Sequence, residues 1–125
     1  MRLNQVTVSV RDLPASIAFY QTIGLKLIVR NDHYVRFVCP DGSSTFSILL
    51  EPNATGVSQT VVCFEDDALD ATVERLKQAG LTFDEEPHDQ TWLWREAHLR
   101  DPTGNVFCLY FAGENRLNPP WRLKD

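Results

Sequence analysis

The chain has 125 residues, which is enough for one domain or for two small half-domains that share a core. Its apolar fraction of 43% and charged fraction of 23% are ordinary for a globular protein. No apolar run approaches the roughly 20 residues of a membrane helix, and the net charge of -5 comes without a basic stripe, so we expect no membrane and no nucleic-acid partner.

The cysteines and the first residues indicate the cellular setting. Cys39, Cys63 and Cys108 are scattered and form no Cys-x-x-Cys pair, which argues against a disulfide framework or a structural zinc site. The first residues already have the pattern of a strand, so we expect no signal peptide. Both observations predict a reducing, cytoplasmic location.

The first half of the chain predicts a strand, a helix and three more strands. Residues 5–10 alternate between an apolar face and a polar face, as in a half-buried strand. Asp12 as cap and Pro14 in the first turn predict a helix that ends at Gly24. The three further strands are predicted at residues 25–30, 33–39 and 45–50.

The second half shows the same order of elements. A strand is predicted at residues 59–64, followed by a helix capped at Asp66-Asp67 and ended by Gly80. Its apolar positions at helical spacing are Leu69, Val73 and Leu76. Another strand begins at residues 81–83, and the acidic stretch 84–89 is interpreted as a looser segment leading to residues 92–95. Residues 114–125 are predicted to hold no regular element.

The last predicted strand follows a tight turn, Asp101-Pro102-Thr103-Gly104-Asn105. After the turn the residues alternate, so Phe107, Leu109 and Phe111 are expected on one face. The other face carries Val106, Cys108 and Tyr110, and this mixed face is where we expect function.

The two halves have the pattern of an internal repeat. Gln5 lies seven residues before Asp12, and Gln59 lies seven residues before Asp66. We therefore predict a single domain, 1–125, made of two repeats at about 1–52 and 57–112, with a tail at 113–125.

This pattern resembles the vicinal oxygen chelate superfamily, which includes glyoxalase I, bleomycin-resistance proteins and extradiol dioxygenases. The matching segments are residues 8–13, 16–20, 24–25, 59–69 and 100–105. The resemblance implies an α+β fold of two βαβββ modules, with curved mixed sheets, helices on the convex side and a concave ligand cleft. It also implies a homodimer.

The resemblance further implies four positions that hold one divalent metal in metal-using members. In this sequence they fall on Gln5, Ser47, Gln59 and Cys108. These residues include no imidazole and no carboxylate, so we expect no bound metal. Glu51 is the nearest carboxylate, but it lies roughly 13 Å along the strand from Ser47. His33 and His88 sit in turn-like stretches, and His98, beside Glu96, is the best-placed histidine but is not expected to be a ligand.

A ligand cleft would instead be lined by polar and aromatic side chains. The predicted ligand-binding residues are Gln5, Thr7, Ser9, Ser47, Gln59, Cys63, Trp92, Trp94, Cys108 and Tyr110. Plain alternatives stay open: the glutamines as polar lining, Cys108 as a small buried hydrophobe, and the tryptophans as core or dimer packing.

Three functions are compatible with these residues. The first is a metal-free, cofactor-free binding protein that holds an apolar or aromatic small molecule and forms a homodimer. The second is a lyase or isomerase resembling glyoxalase I, with one divalent metal such as Ni, Zn, Mn or Fe on Gln5 and Glu51. The third is a protein-interaction module whose cleft is vestigial.

Overall fold

The structure is a computed structural model that describes residues 1–124, and its chain divides into two compact units. The first unit comprises residues 1–60 and 100–106. The second unit comprises residues 61–99 and the chain from Phe107 onward. No helix among the described residues is both long and apolar enough to cross a membrane.

The first sheet is built from four strands around one helix. Its elements are β1 (Gln5–Val10), α1 (Leu13–Ile23), β2 (Lys26–Arg30), β3 (Tyr34–Val38) and β4 (Thr45–Leu50). The strand order is β1-β4-β3-β2, with β1 parallel to β4 and β3 antiparallel to both of its neighbours. The sheet is therefore mixed, as predicted.

The second sheet repeats this topology. Its elements are β5 (Val62–Glu65), α2 (Leu69–Gln78), β6 (Phe83–Asp89), β7 (Arg95–Arg100) and β8 (Val106–Phe111). The strand order is β5-β8-β7-β6, with β5 parallel to β8. Both halves are thus βαβββ modules of one connectivity, which confirms the predicted α+β fold.

Helix α1 begins and ends where its sequence predicts. The Asp12 carboxylate accepts a hydrogen bond from the Ala15 N–H at 3.0 Å, and Gly24 follows the helix with φ of 121°. Tyr20 on the buried side of α1 packs against Phe37 and Phe46, with ring centroids 5.9 and 4.8 Å apart. This packing makes the Phe37 and Phe46 side of the first sheet the helix-facing side, and leaves Ser47 on the other side.

Helix α2 buries Leu69, Val73 and Leu76 as predicted, but its start differs from the prediction. The cap residue is Ala68, which makes no side-chain hydrogen bond. The Asp66 carboxylate instead accepts from the Ala68 N–H and from the Thr72 hydroxyl, at 2.8 and 2.6 Å. It therefore ties down the first turn from outside the capping position.

The predicted loose segment at residues 84–89 is wrong, because the acidic stretch belongs to strand β6. β6 is the edge strand of its sheet, where Pro87 can be accommodated although it has no N–H to donate. The pairing of β6 with β7 is irregular between Glu85 and His88, on either side of that proline.

At three other places the structure differs from the prediction or adds to it. β5 begins at Val62, so Gln59 precedes the strand rather than lying within it. Trp92 lies in a turn ahead of β7, next to Leu93 with φ of 67°. The tail contains a short 3-10 helix at Gly113–Arg116, where no regular element was expected, and Asp125 lies outside the described residues.

Candidate functional site

In the first unit, the helix-free side of the sheet carries a closed hydrogen-bond network. The β1–β4 register places Gln5 beside Thr45 and Thr7 beside Ser47. The Gln5 amide nitrogen donates to the Ser47 hydroxyl at 2.9 Å and to the Thr7 hydroxyl at 3.1 Å. The structure thus brings together three of the predicted binding residues.

Aromatic and cationic side chains complete this network. The Tyr34 and Ser47 hydroxyls are 2.6 Å apart, and Arg36 Nε donates to the Tyr34 hydroxyl at 3.0 Å. The hydrogen bond with Ser47, the hydrogen bond from Arg36 and the positive charge of Arg36 lower the pKa of Tyr34. Ser47 is fully buried, whereas Ser9, further along β1, is exposed.

The two expected metal positions of this unit do not fit a divalent cation. The Gln5 amide oxygen already accepts from the Thr45 hydroxyl, so the amide is engaged at both ends. The Ser47 hydroxyl is neutral, and the Arg36 guanidinium lies within the same network. Glu51 follows β4 as an exposed residue. Gln5 and Ser47 therefore act as mutual hydrogen-bond partners.

In the second unit, two cysteines face one another across parallel strands. Cys63 of β5 and Cys108 of β8 are register partners, with Cys63 exposed and Cys108 only 2% exposed. Hydrogen bonding between the two thiols lowers the pKa of Cys63 to about 7 and raises that of Cys108, which burial raises further. Both thiols and that of Cys39 are free.

The neighbouring strand β7 brings a carboxylate and an imidazole to Cys108. Glu96 Oε1 lies 2.9 Å from His98 Nε2, and the Trp92 indole N–H donates to Glu96 Oε2 at 2.7 Å. One donor atom each from Glu96, His98 and Cys108 lies within 4.8 Å of the others. We call these three residues the Cys-His-Glu cluster.

The prediction from sequence did not include Glu96 and discounted His98. Their spacing of two residues was the available signal, because alternate residues of a strand share a face. Their approach to Cys108 depends on β7 lying next to β8 in the sheet.

Two aromatic side chains of this unit form a stack. The Trp94 and Tyr110 rings are 4.3 Å apart at an interplanar angle of 12°, and Trp94 packs on the buried group Cys108, Tyr110 and Ala112. Burial raises the pKa of Tyr110, and the charge of Glu65 adds to this effect. We call Trp92, Trp94 and Tyr110 the aromatic face.

The ten predicted binding residues therefore separate between the units. Gln5, Thr7, Ser9 and Ser47 belong to the first unit, and Gln59 lies in an exposed bend at its end. Cys63, Trp92, Trp94, Cys108 and Tyr110 belong to the second unit. Their role in ligand binding stays a prediction.

Comparison with known proteins agrees with the observed topology. The profile of the glyoxalase/bleomycin resistance protein/dioxygenase superfamily matches residues 2–109. No curated protein matches the chain.

Several solved structures share the fold at low sequence identity. Lactoylglutathione lyase from Agrobacterium tumefaciens superposes with a TM-score of 0.75 at 20% identity, over 88% of this chain and 92% of that one. A bleomycin resistance determinant encoded on the transposon Tn5 gives 0.77 at 20% identity, over 89% and 98%. A bleomycin-binding protein in complex with bleomycin gives 0.73 at 20% identity, over 89% and 98%.

Proposed function

Because the chain belongs to the glyoxalase/bleomycin resistance protein/dioxygenase superfamily, we propose that it is a small-molecule-binding protein. Its ligand is apolar or aromatic and lies against the aromatic face of the second unit. The stack of Trp94 on Tyr110 is the observation that carries this proposal.

The stack is suited to a flat organic ligand. Tyr110 is 7% exposed whereas Trp94 is partly exposed, so the indole is the outer ring. A ring held by packing offers a large contact area at a small cost in side-chain entropy. Trp92, on the turn before β7, is 46% exposed and adds a second aromatic surface to the same unit.

Polar groups beside the stack would orient the ligand. Cys63 is exposed next to Cys108, and His98 is partly exposed next to Glu96. A mostly apolar surface with a few such groups is typical of small-molecule sites. The bleomycin complex of one structural neighbour provides a precedent for ligand binding by this fold. Homodimer formation, implied by the superfamily, stays part of the proposal.

Ligand binding can be tested by thermal shift in the presence of a chelator. We expect at least one member of a panel of neutral, cationic and anionic bicyclic aromatics to raise the melting temperature. Fluorescence titration with that compound should show a Kd roughly 3- to 10-fold higher in Trp94→Leu, which is the range expected for one aromatic contact. Trp121→Leu, which changes an exposed tryptophan of the tail, is the matched control.

Two results would contradict the proposal. One is a panel without any shift, which would favour a protein-interaction module. The other is an equal loss of affinity in Trp94→Leu and Trp121→Leu.

The second candidate function is a divalent-metal-dependent lyase or isomerase resembling glyoxalase I. The observation that favours it is the Cys-His-Glu cluster, since Gln5 is engaged in the first-unit network. Lactoylglutathione turnover with added Ni, Zn, Mn or Fe tests it. Turnover that is lost in Glu96→Gln would favour the enzyme over the binding protein.

A further inference from the structure

We propose that Cys108, His98 and Glu96 form a binding site for a divalent cation of the zinc class within the second unit alone. The site shares only Cys108 with the four positions that the superfamily resemblance implies. It concerns the cluster on which the second candidate function depends, but it requires no turnover, because the cation is expected to bind without any organic ligand.

The donor set matches such a cation in chemistry and charge. A thiolate, an imidazole and a carboxylate are the usual ligands of Zn²⁺, and the thiolate disfavours Mg²⁺ and Ca²⁺. The thiolate and the carboxylate together balance the charge of a divalent ion, while the imidazole binds as a neutral group. On binding, the Cys108 thiol releases its proton to solvent as the metal–sulfur bond forms.

The distances require a small adjustment. Ligand atoms of a tetrahedral zinc are about 3.5 Å apart, given bonds of roughly 2.0 to 2.3 Å. The Glu96 and His98 atoms are already 2.9 Å apart, and all three donor atoms lie within 4.8 Å. Side-chain rotation of the partly exposed His98 can supply the difference without moving β7 or β8.

Burial and an outer hydrogen bond favour an organised site. Cys108 and Glu96 are 2% and 7% exposed, so two of the ligands sit where the protein holds them in place. The Trp92 indole N–H binds the far oxygen of Glu96, which leaves the near oxygen toward His98. Such outer hydrogen bonds orient metal ligands and typically change metal affinity 10- to 100-fold.

Cobalt(II) provides a direct test, because it replaces zinc and reports its ligands by absorption. The reduced, chelator-treated protein should bind one Co²⁺ per chain, with a thiolate-to-cobalt charge-transfer band that Zn²⁺ removes and Mg²⁺ does not. In Cys108→Ala the band should vanish, and the Kd should rise by more than about 100-fold. In His98→Gln the band should persist with a Kd at least about tenfold higher.

Two further variants separate a built site from nonspecific thiol binding. Trp92→Phe keeps all three ligands but removes the outer hydrogen bond, so the Kd should rise about tenfold. Cys39→Ser removes a thiol of the first unit and should change neither band nor stoichiometry. Circular dichroism confirms that each variant is folded, and His98→Gln changes a partly exposed side chain, so it tests the site even if Cys108→Ala unfolds.

The proposal is overturned by any of three results. These are no thiolate-to-cobalt band in the reduced protein, an unchanged affinity in folded His98→Gln, and loss of the band in Cys39→Ser.

Discussion

The two units share one strand order but carry different side chains at matching positions of their sheets. In the first unit, Ser47 on β4 is fully buried, accepts a hydrogen bond from Gln5 and shares one with the Tyr34 hydroxyl. In the second unit, Cys108 on β8 lies among Glu96, His98 and the exposed Cys63. The same fold therefore accommodates different side chains at these positions. The function of each unit depends on those side chains and not on the topology.

The register makes the comparison position by position. Thr7 is opposite Ser47 in the first unit, and Cys63 is opposite Cys108 in the second. A hydroxyl pair therefore corresponds to a thiol pair at the same place in the repeated module. Hydroxyls satisfy one another and an amide, whereas thiols offer a nucleophile and a soft metal ligand.

Buried carboxylates should show the largest difference between the units. Asp101, in the first unit, accepts from the Tyr20 hydroxyl at 2.7 Å and from the N–H groups of Thr103, Gly104 and Asn105. Asp101→Asn weakens these charge-assisted bonds. It also places a new amide NH2 group close to the Asn105 amide nitrogen, so that two donors face each other. We therefore expect the free energy of unfolding to fall by roughly 3 kcal/mol.

The matched change in the second unit is Glu96→Gln. Its amide can still hydrogen bond to both the Trp92 indole and the His98 ring, so the change should stay within about 1 kcal/mol. Urea unfolding measures both variants. Equal losses of unfolding free energy would show that Glu96 stabilises the fold as much as Asp101 does.

Two glycines provide the next comparison. Gly56 of the first unit has φ of +76°, and a Cβ there would lie 2.4 Å from the Gly104 carbonyl carbon. Gly80, after α2, has φ of +98° with nothing within 4 Å of such a Cβ. Gly56→Ala should therefore cost roughly 3 kcal/mol, and Gly80→Ala about 1 kcal/mol from backbone strain alone. Thermal unfolding measures the stability of both variants. A smaller loss of stability in Gly56→Ala than in Gly80→Ala would contradict the close approach of Gly56 to Gly104.

Thiol reactivity should also differ between the units. The pKa of Cys63 is lowered to about 7 by its neighbour Cys108, while burial and Asp41 raise the pKa of Cys39 in the first unit. In the presence of a chelator, alkylation of Cys63 should rise up to about pH 7 and then level off. At pH 7 it should exceed that of Cys39 about tenfold or more. Peptide mass spectrometry gives both rates, and similar pH profiles would contradict the thiol pair.

Gln5→Ala should have the smallest effect. Ser47 keeps its bond to Tyr34, so the unfolding free energy should fall by no more than about 1 kcal/mol. Cobalt binding should be unchanged, in contrast to Cys108→Ala. If the cobalt affinity depended on Gln5, the metal would be bound at the positions implied by the superfamily and not at the Cys-His-Glu cluster.

The amino-acid sequence by itself determined the fold of this protein. Alternating residues in β1 and β8, the Asp12 cap and the glycines after each helix are local signals, since each depends on a few neighbouring residues. Counting along the chain also indicated the duplication, but it matched Gln5 with Gln59, whereas the strand registers match Thr7 with Cys63. The acidic strand β6 was not predicted, because a proline is tolerated in a strand only at a sheet edge. Whether a strand lies at an edge depends on the whole sheet and not on neighbouring residues.

The tertiary structure alone decided which chemical groups meet. Glu96 and His98 come close to Cys108 only because β7 lies beside β8, and Cys63 faces Cys108 only through the parallel register of β5. Trp92 reaches Glu96 from a turn whose conformation the pattern of residues did not predict. Such contacts depend on strand order and register, which join residues distant in the chain, so no local pattern could reveal them.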